Sequence, residues 1–327
     1  MRKIFTGLAS VLALTVTFSN AAVAADWPPP NKPVQIIVPS PGGGGTGDTI
    51  ARLIADQLSQ KLNGNFIVEN HAGANGNIGA GIAADAPNDG SRLLFSWAGT
   101  LAVSPSLYKK LPFDPQKSFD AIGLIAHVPN ILVVNNDLPV NNLAEFTDYV
   151  KKHPGVVNFG STGNGSSMHL AGELYMAHTN TNMVHVPYSA PGQATTNLIS
   201  GEIQSMFQLV PGIVGQLKAG NVKALGIMAT ERSSTLPDVP TMGEQGHPEL
   251  LSATWFALLA PKGTPVDIIE RTNKALNEIL QDPEVKQKLT AMGAATLGGT
   301  PQDLDKLLAD ELKKWNKVVT GADIQIQ

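Results

Sequence analysis

The chain has 327 residues, 23 basic against 27 acidic for a formal charge of −4, and no cysteine. Without basic runs, zinc-finger spacing or abundant aromatics it does not read as a nucleic-acid binder. Without a thiol it has neither a disulfide framework nor a cysteine nucleophile. The length allows two modest domains with a sizeable core, and the 32 glycines and 23 prolines are dispersed among short loops, with no internal repeat of fixed period.

Arg2 and Lys3 precede an apolar run over 8–18, and Ala22-Val23-Ala24 supplies a small-x-small cleavage site before Ala25. The run is too short to span a bilayer, so residues 1–24 read as a signal peptide cleaved after Ala24, which sends the chain to the periplasm. Removal of Arg2 and Lys3 leaves 21 basic against 27 acidic residues, a charge of −6. No second apolar stretch approaches spanning length, so the mature chain is expected to be soluble.

The first element is a β-branched strand over 34–38. It runs into Gly42-Gly43-Gly44-Gly45-Thr46-Gly47-Asp48 and then a helix whose apolar positions Ile50, Leu53, Ile54, Leu58 and Leu62 share one face. A glycine-rich turn opening a helix is the geometry of an anion site, because bare N–H groups and the positive dipole end converge there. P-loop spacing is present, but Asp48 stands where the phosphate-binding lysine belongs. A dinucleotide fingerprint also fits, with Glu69 at the ribose distance. Export demotes both, since free nucleotides are scarce outside the cytoplasm.

Strand and helix signals then alternate: a strand at 66–68, the glycine-rich segment 71–79, a small-residue helix to 84 and a strand over 92–97. Such alternation predicts βαβ crossovers and a mostly parallel sheet. Two apolar runs, 121–126 and 131–134, flank Pro129 and mark a crossing into a second α/β set. That set holds helices at 143–152, 166–177, 192–199 and 211–219, and strands at 156–159, 183–186, 203–207 and 222–229. The strand over 255–259 returns to the first set, and helices over 265–280 and 301–315 finish the chain. Two α/β lobes joined by crossing strands make a cleft, and ligands in open α/β sheets sit beyond the strand ends.

A second anion-type loop, 160–165, offers the Ser161 and Thr162 hydroxyls, backbone access at Gly163 and Gly165, and Ser166 or Ser167 as helix N-cap. These residues either bind a ligand or only turn and cap the chain. No Gly-x-Ser-x-Gly elbow or His-Glu-x-x-His spacing occurs, and His169 reads as packing or capping, so neither a hydrolase nor a metal site is supported. Trp97 and Tyr188 sit at strand ends facing the cleft, as pocket walls or simple packing. Arg52 reads as one partner of a salt bridge rather than a carboxylate clamp.

Several motifs occur in one order: Pro41-Gly42-Gly43 through Asp48 and Ala51-Arg52, Gly73-Ala74-Asn75-Gly76-Asn77-Ile78-Gly79, Ser161-Thr162-Gly163-Asn164-Gly165-Ser166-Ser167-Met168-His169-Leu170 and His185-Val186-Pro187-Tyr188. Pro237-Asp238-Val239-Pro240-Thr241, Trp255-Phe256, Ala260-Pro261-Lys262-Gly263-Thr264-Pro265 and Glu311-Leu312-Lys313-Lys314-Trp315 follow. This set resembles Bug-type substrate-binding proteins of the tripartite tricarboxylate transporter family over nearly the whole mature chain. The resemblance implies an α/β, two-lobed periplasmic-binding-protein fold, Venus flytrap and type II-like, with the ligand cleft between lobes. Lobe I would comprise 25–126 and 252–327, and lobe II 127–251.

It further implies a non-catalytic, cofactor-free monomer that closes on a small carboxylate and hands it to membrane permease subunits. The implied binders are Gly43, Gly44, Thr46, Gly47 and Asp48, with Ala74 and Asn75, on one lobe; on the other they are Ser161, Thr162, Gly165, Ser166, Tyr188 and Ala190. Two departures stand out: the first loop carries one extra glycine-like residue, and Gln208 replaces an acidic residue frequent in the family, which favours a ligand without an ammonium group. Trp97, if it faces the cleft, hints at an aromatic acid such as terephthalate. The alternatives are an exported α/β enzyme, either a hydrolase using Ser161 or Ser166 or a dinucleotide oxidoreductase, and a periplasmic sensor subunit.

Overall fold

A computed structural model describes residues 27–43, 46–188 and 191–321. The expected signal peptide and its cleavage site, Gly44 and Ala190 lie outside the described residues. None of the described helices is long and apolar enough to cross a membrane.

The first half follows the expected alternation: β1 (Val34–Val38), α1 (Thr46–Lys61), β2 (Phe66–Asn70), α2 (Asn77–Ala84), β3 (Arg92–Trp97) and the short α3 (Ser104–Leu107). Val34, Ile36, Ile37 and Val38 are fully buried, as a parallel strand covered on both faces requires. Ile50, Ile54 and Leu58 of α1 are buried on the same core, which explains their helical spacing. Strand β1 pairs in parallel with both β2 and β3.

Strand β4 (Phe119–Asn135) is 17 residues long and buried almost throughout. The second half follows it as α4 (Leu143–Lys152), β5 (Asn158–Ser161), α5 (Ser167–Thr179), β6 (Val184–Pro187), α6 (Pro191–Ser200), β7 (Ser205–Leu209), α7 (Val210–Lys218) and β8 (Val222–Ile227). The chain returns along β9 (Ala253–Pro261) and ends in α8 (Val266–Gln281), α9 (Pro283–Ala291), β10 (Ala295–Thr296) and α10 (Pro301–Gly321). The strands lie in the order β2-β1-β3-β9-β4-β7-β5-β6, with β8 and β10 also pairing β4.

Two features differ from the sequence expectation. The apolar runs on either side of Pro129 form one continuous strand: β4 pairs β9 from Phe119 to Pro129 and pairs β7 from Asn130 onward. Pro129 sits where the ladder changes partner, the point at which a missing N–H interrupts least. The sheet is also mixed rather than mostly parallel, because β9 is antiparallel to β3 and β4, and β4 to β7 and β8. The two crossing strands run in opposite directions between the halves and need no helical crossover.

Candidate ligand-binding site

The first glycine loop is shaped by Asp48. This carboxylate is 1% exposed yet accepts hydrogen bonds from the Gly43 N–H at 3.1 Å, from Arg52 Nε and Nη2 at 3.1 Å each, and from Asn70 Nδ2 at 2.9 Å. Burial alone would raise its pKa, but the donations from Arg52, Asn70 and Gly43 outweigh that and hold it below its ordinary value. Asp48 therefore folds the loop, and its oxygens are occupied by protein. Arg52 is the expected salt-bridge partner. Gly43 takes a φ of 100°, which a side chain resists.

Opposite the loop, Gly73, Ala74, Asn75 and Gly76 have φ values of 128°, 47°, 55° and 88°. Two consecutive non-glycine residues in this region mean stored backbone strain of about 1–3 kcal/mol each, which persists only where the surroundings enforce it. The enforcement is visible. Asn75 Nδ2 donates to Gly99 O and to Ser104 Oγ at 3.3 Å each, and Thr100 Oγ1 donates to Asn75 O at 2.8 Å. Residues 99–103 form a π-helical turn, a form frequent at functional sites. The sequence reading missed both this turn and its Thr100 and Ser104 anchors, because a five-residue π turn carries no periodic signal.

The second loop meets this turn. A methyl group at Gly165 would stand 3.6 Å from Asn75 Nδ2 and would collide with Leu107 Cδ1. The 73–76 turn on one half of the sheet and the second glycine loop on the other therefore approach one another. Ser166 is the N-cap of α5, accepting from His169 N–H at 3.2 Å. Ser161 Oγ accepts from Gly163 N–H at 3.0 Å and lies 2.6 Å from His185 Nε2. Thr162 Oγ1 lies 3.6 Å from the Met168 sulfur.

Beneath the loop His169 and His185 stack with ring centroids 3.9 Å apart. The Gly165 N–H donates to His169 Nδ1 at 3.1 Å, which leaves the proton on Nε2, 3.4 Å from Glu173 Oε1. His169 thus packs and caps, as its sequence position suggested. Burial, then the neighbouring His169, push the His185 pKa down to about 3. The unfolded chain takes that proton near its ordinary 6.5, so the stabilisation is complete above pH 6.5 and is lost as pH falls from there toward about 3. Thermal melts across pH 7 to 4 should fall more steeply for wild type than for His185→Gln, which keeps a neutral partner for Ser161; parallel curves would contradict this.

Trp97 is half-buried between the first glycine loop and the π-helical turn: a methyl at Gly47 would lie 3.8 Å from its Cζ3, and one at Gly99 would lie 3.2 Å from its Nε1. Its ring also meets Phe256 edge-on at 6.5 Å. Tyr188 packs over Gly160 and its hydroxyl accepts from Asn197 Nδ2 at 3.0 Å. Thr46 opens α1, half-exposed, and Ala74 is exposed on its turn. Gln208 is 3% exposed, and its Oε1 accepts the Leu209 N–H at 2.8 Å while Nε2 is buried without a partner. Ser40 Oγ after β1 and both polar atoms of Asn77 at the start of α2 are likewise buried and unpaired. Such groups are rare and mark places where solvent or a ligand completes the bonding.

Comparison with known proteins fits this arrangement. Residues 50–324 match the model of the tripartite tricarboxylate transporter family receptor, and the chain belongs to that family. Protein BugT of Bordetella pertussis is 35% identical over 325 residues, covering 98% of this chain and 99% of the relative. An R. palustris protein solved with adipate superposes with a TM-score of 0.85 at 32% identity, over 92% of this chain and 100% of that one. MatC from Rhodopseudomonas palustris, solved with malate, gives 0.80 at 32% identity over 89% and 99%, and the periplasmic binding protein BugD gives 0.82 at 31% identity over 91% and 100%. The fold is the two-lobed periplasmic-binding-protein fold with its cleft between lobes, and the protein is a Bug-type solute-binding receptor, not an enzyme.

Proposed function

We propose that the protein captures a small dicarboxylate in the periplasm and delivers it to permease subunits of a tripartite tricarboxylate transporter, with 25–126 and 252–327 as one lobe and 127–251 as the other. The observation that carries this reading is the approach of the strained 73–76 turn and the second glycine loop at Asn75 and Gly165, with the cation Arg52 already paired to Asp48. The side chains of Asp48, Ser161 and Ser166 hold the loops in shape. The Gly43 and Gly165 N–H groups are taken by Asp48 and His169, and backbone N–H groups around Thr46, Gly47, Ala74 and Thr162 then serve as neutral donors to the carboxylates. Charge-assisted bonds from such donors strengthen once closure excludes water. The adipate and malate of the two R. palustris proteins support a dicarboxylate over a monoacid.

The far end of the ligand meets Gln208. Its oxygen is fixed by the Leu209 N–H, so the amide presents a donor, which suits an acceptor on the ligand and repels an ammonium. Calorimetry against malate, adipate, terephthalate and aspartate tests the reading: binding of at least one of the three ammonium-free dicarboxylates without aspartate supports it, and tight binding of aspartate alone overturns the preference for an ammonium-free ligand. Gln208→Glu keeps the size and the bond to Leu209 but replaces the donor with a carboxylate oxygen. It should weaken dicarboxylate binding by about tenfold to a hundredfold, and an unchanged Kd removes Gln208 from the site.

A further inference from the structure

Leu170 belongs by chain to α5, which packs on β5 and β7, yet at 0% accessibility it joins an apolar cluster whose other members include Leu94, Leu101, Leu107, Leu124 and Trp255 of the other lobe. Five residues earlier, Gly165 lies against Leu107 itself and against Asn75. Both contacts are protein on protein and come from the segment that carries the second binding loop. Neither Leu107 nor Leu170 has a polar side-chain atom with which to hold a carboxylate.

We infer that Leu107 and Leu170 are positioning residues that set ligand affinity from outside the ligand contacts, by fastening the start of α5 to the opposite lobe in the binding-competent arrangement. Opening the cleft exposes Leu170 and separates Leu107 from Gly165, so burial of these side chains favours the closed form whatever ligand lies between the lobes. Apparent affinity scales with the fraction of molecules in that form, and weakening the fastening therefore raises Kd without touching a ligand atom. This rests on the two-lobed receptor reading above.

The absence of cysteine allows spin labels to be placed cleanly after Asp56→Cys on α1 and Lys151→Cys on α4, both exposed. In ligand-free protein, Leu170→Ala and Leu107→Ala should each shift the interlobe distance distribution toward longer separations, and the double variant should add little to either single one. Using malate and adipate as probes, both variants should raise Kd by a common factor of about five to ten for whichever acid wild type binds. A variant that melts early is read through its partner on the opposite lobe. Unchanged ligand-free distances in both variants overturn the inference. Failure of both acids to bind wild type, with the distances shifting as expected, sinks the dicarboxylate reading and leaves the fastening intact.

Discussion

Replacing Asp48 with alanine should cost about 2–3 kcal/mol and lower Tm by roughly 5 °C. The carboxylate is the common acceptor for four donations from Gly43, Arg52 and Asn70, and its removal leaves the Gly43 N–H and the Asn70 amide without their acceptor. The Arg52 side chain is 51% exposed and can recover water, which keeps the figure below the cost of breaking a fully buried ion pair. For that reason Arg52→Ala should do less harm than Asp48→Ala. Dicarboxylate affinity should fall with Asp48→Ala as well, because the loop loses the bond that sets the Gly43 turn. The pH dependence has a definite sign: the folded carboxylate is held below its ordinary 3.8, so the unfolded chain binds the proton first, and the contribution is present above pH 3.8 and lost as pH falls below it. The gap between wild type and Asp48→Ala should therefore narrow in acid. Equal melting temperatures at pH 7 would show that the loop holds its shape without the carboxylate.

The sequence was most legible where one physical constraint acts locally. Helices α4 and α8, with apolar residues on one face and polar residues on the other, and strands β1 and β3 emerge from periodicity within a residue or two. The ordered glycine motifs point to helix starts, and the structure brings the second of them, at Gly165, against Asn75 of the 73–79 segment. What escaped was tertiary. Pro129 reads locally as a break, yet β4 continues through it because two different partner strands support the chain on either side. Asp48 reads as part of a ligand loop by position, while its role as acceptor for Arg52 and Asn70 depends on β2 lying alongside β1. The Ser161–His185 contact joins residues 24 apart through the parallel pairing of β5 and β6, and no spacing rule discloses it. Leu170 is one more apolar residue on an α5 of weak amphipathicity, and nothing in its neighbours reveals that it joins the cluster of Leu94, Leu107 and Trp255.

Gly165→Val should abolish dicarboxylate binding, or weaken it by at least about a hundredfold, while costing comparatively little thermal stability. Gly165 has a φ of 78°, and any Cβ there meets Leu107. In a core, such a collision would be absorbed as overpacking strain of about 1–3 kcal/mol. Under the proposed lobe division the colliding groups lie on different lobes, so the molecule can relieve it by opening, and the cost is transferred from stability to affinity. Gly163 provides the control. Its φ of 112° makes a side chain equally unwelcome to the backbone, but nothing lies within 4 Å of where a Cβ would stand. Gly163→Ala should therefore show the strain alone, with a modest fall in affinity. Shortening the obstacle separates the two causes further: Leu107→Ala in the Gly165→Val background should return part of the lost affinity, although Leu107→Ala by itself lowers it. A Gly165→Val protein that binds as wild type does, or a double variant with no recovery, would mean that closure does not bring this glycine against Leu107.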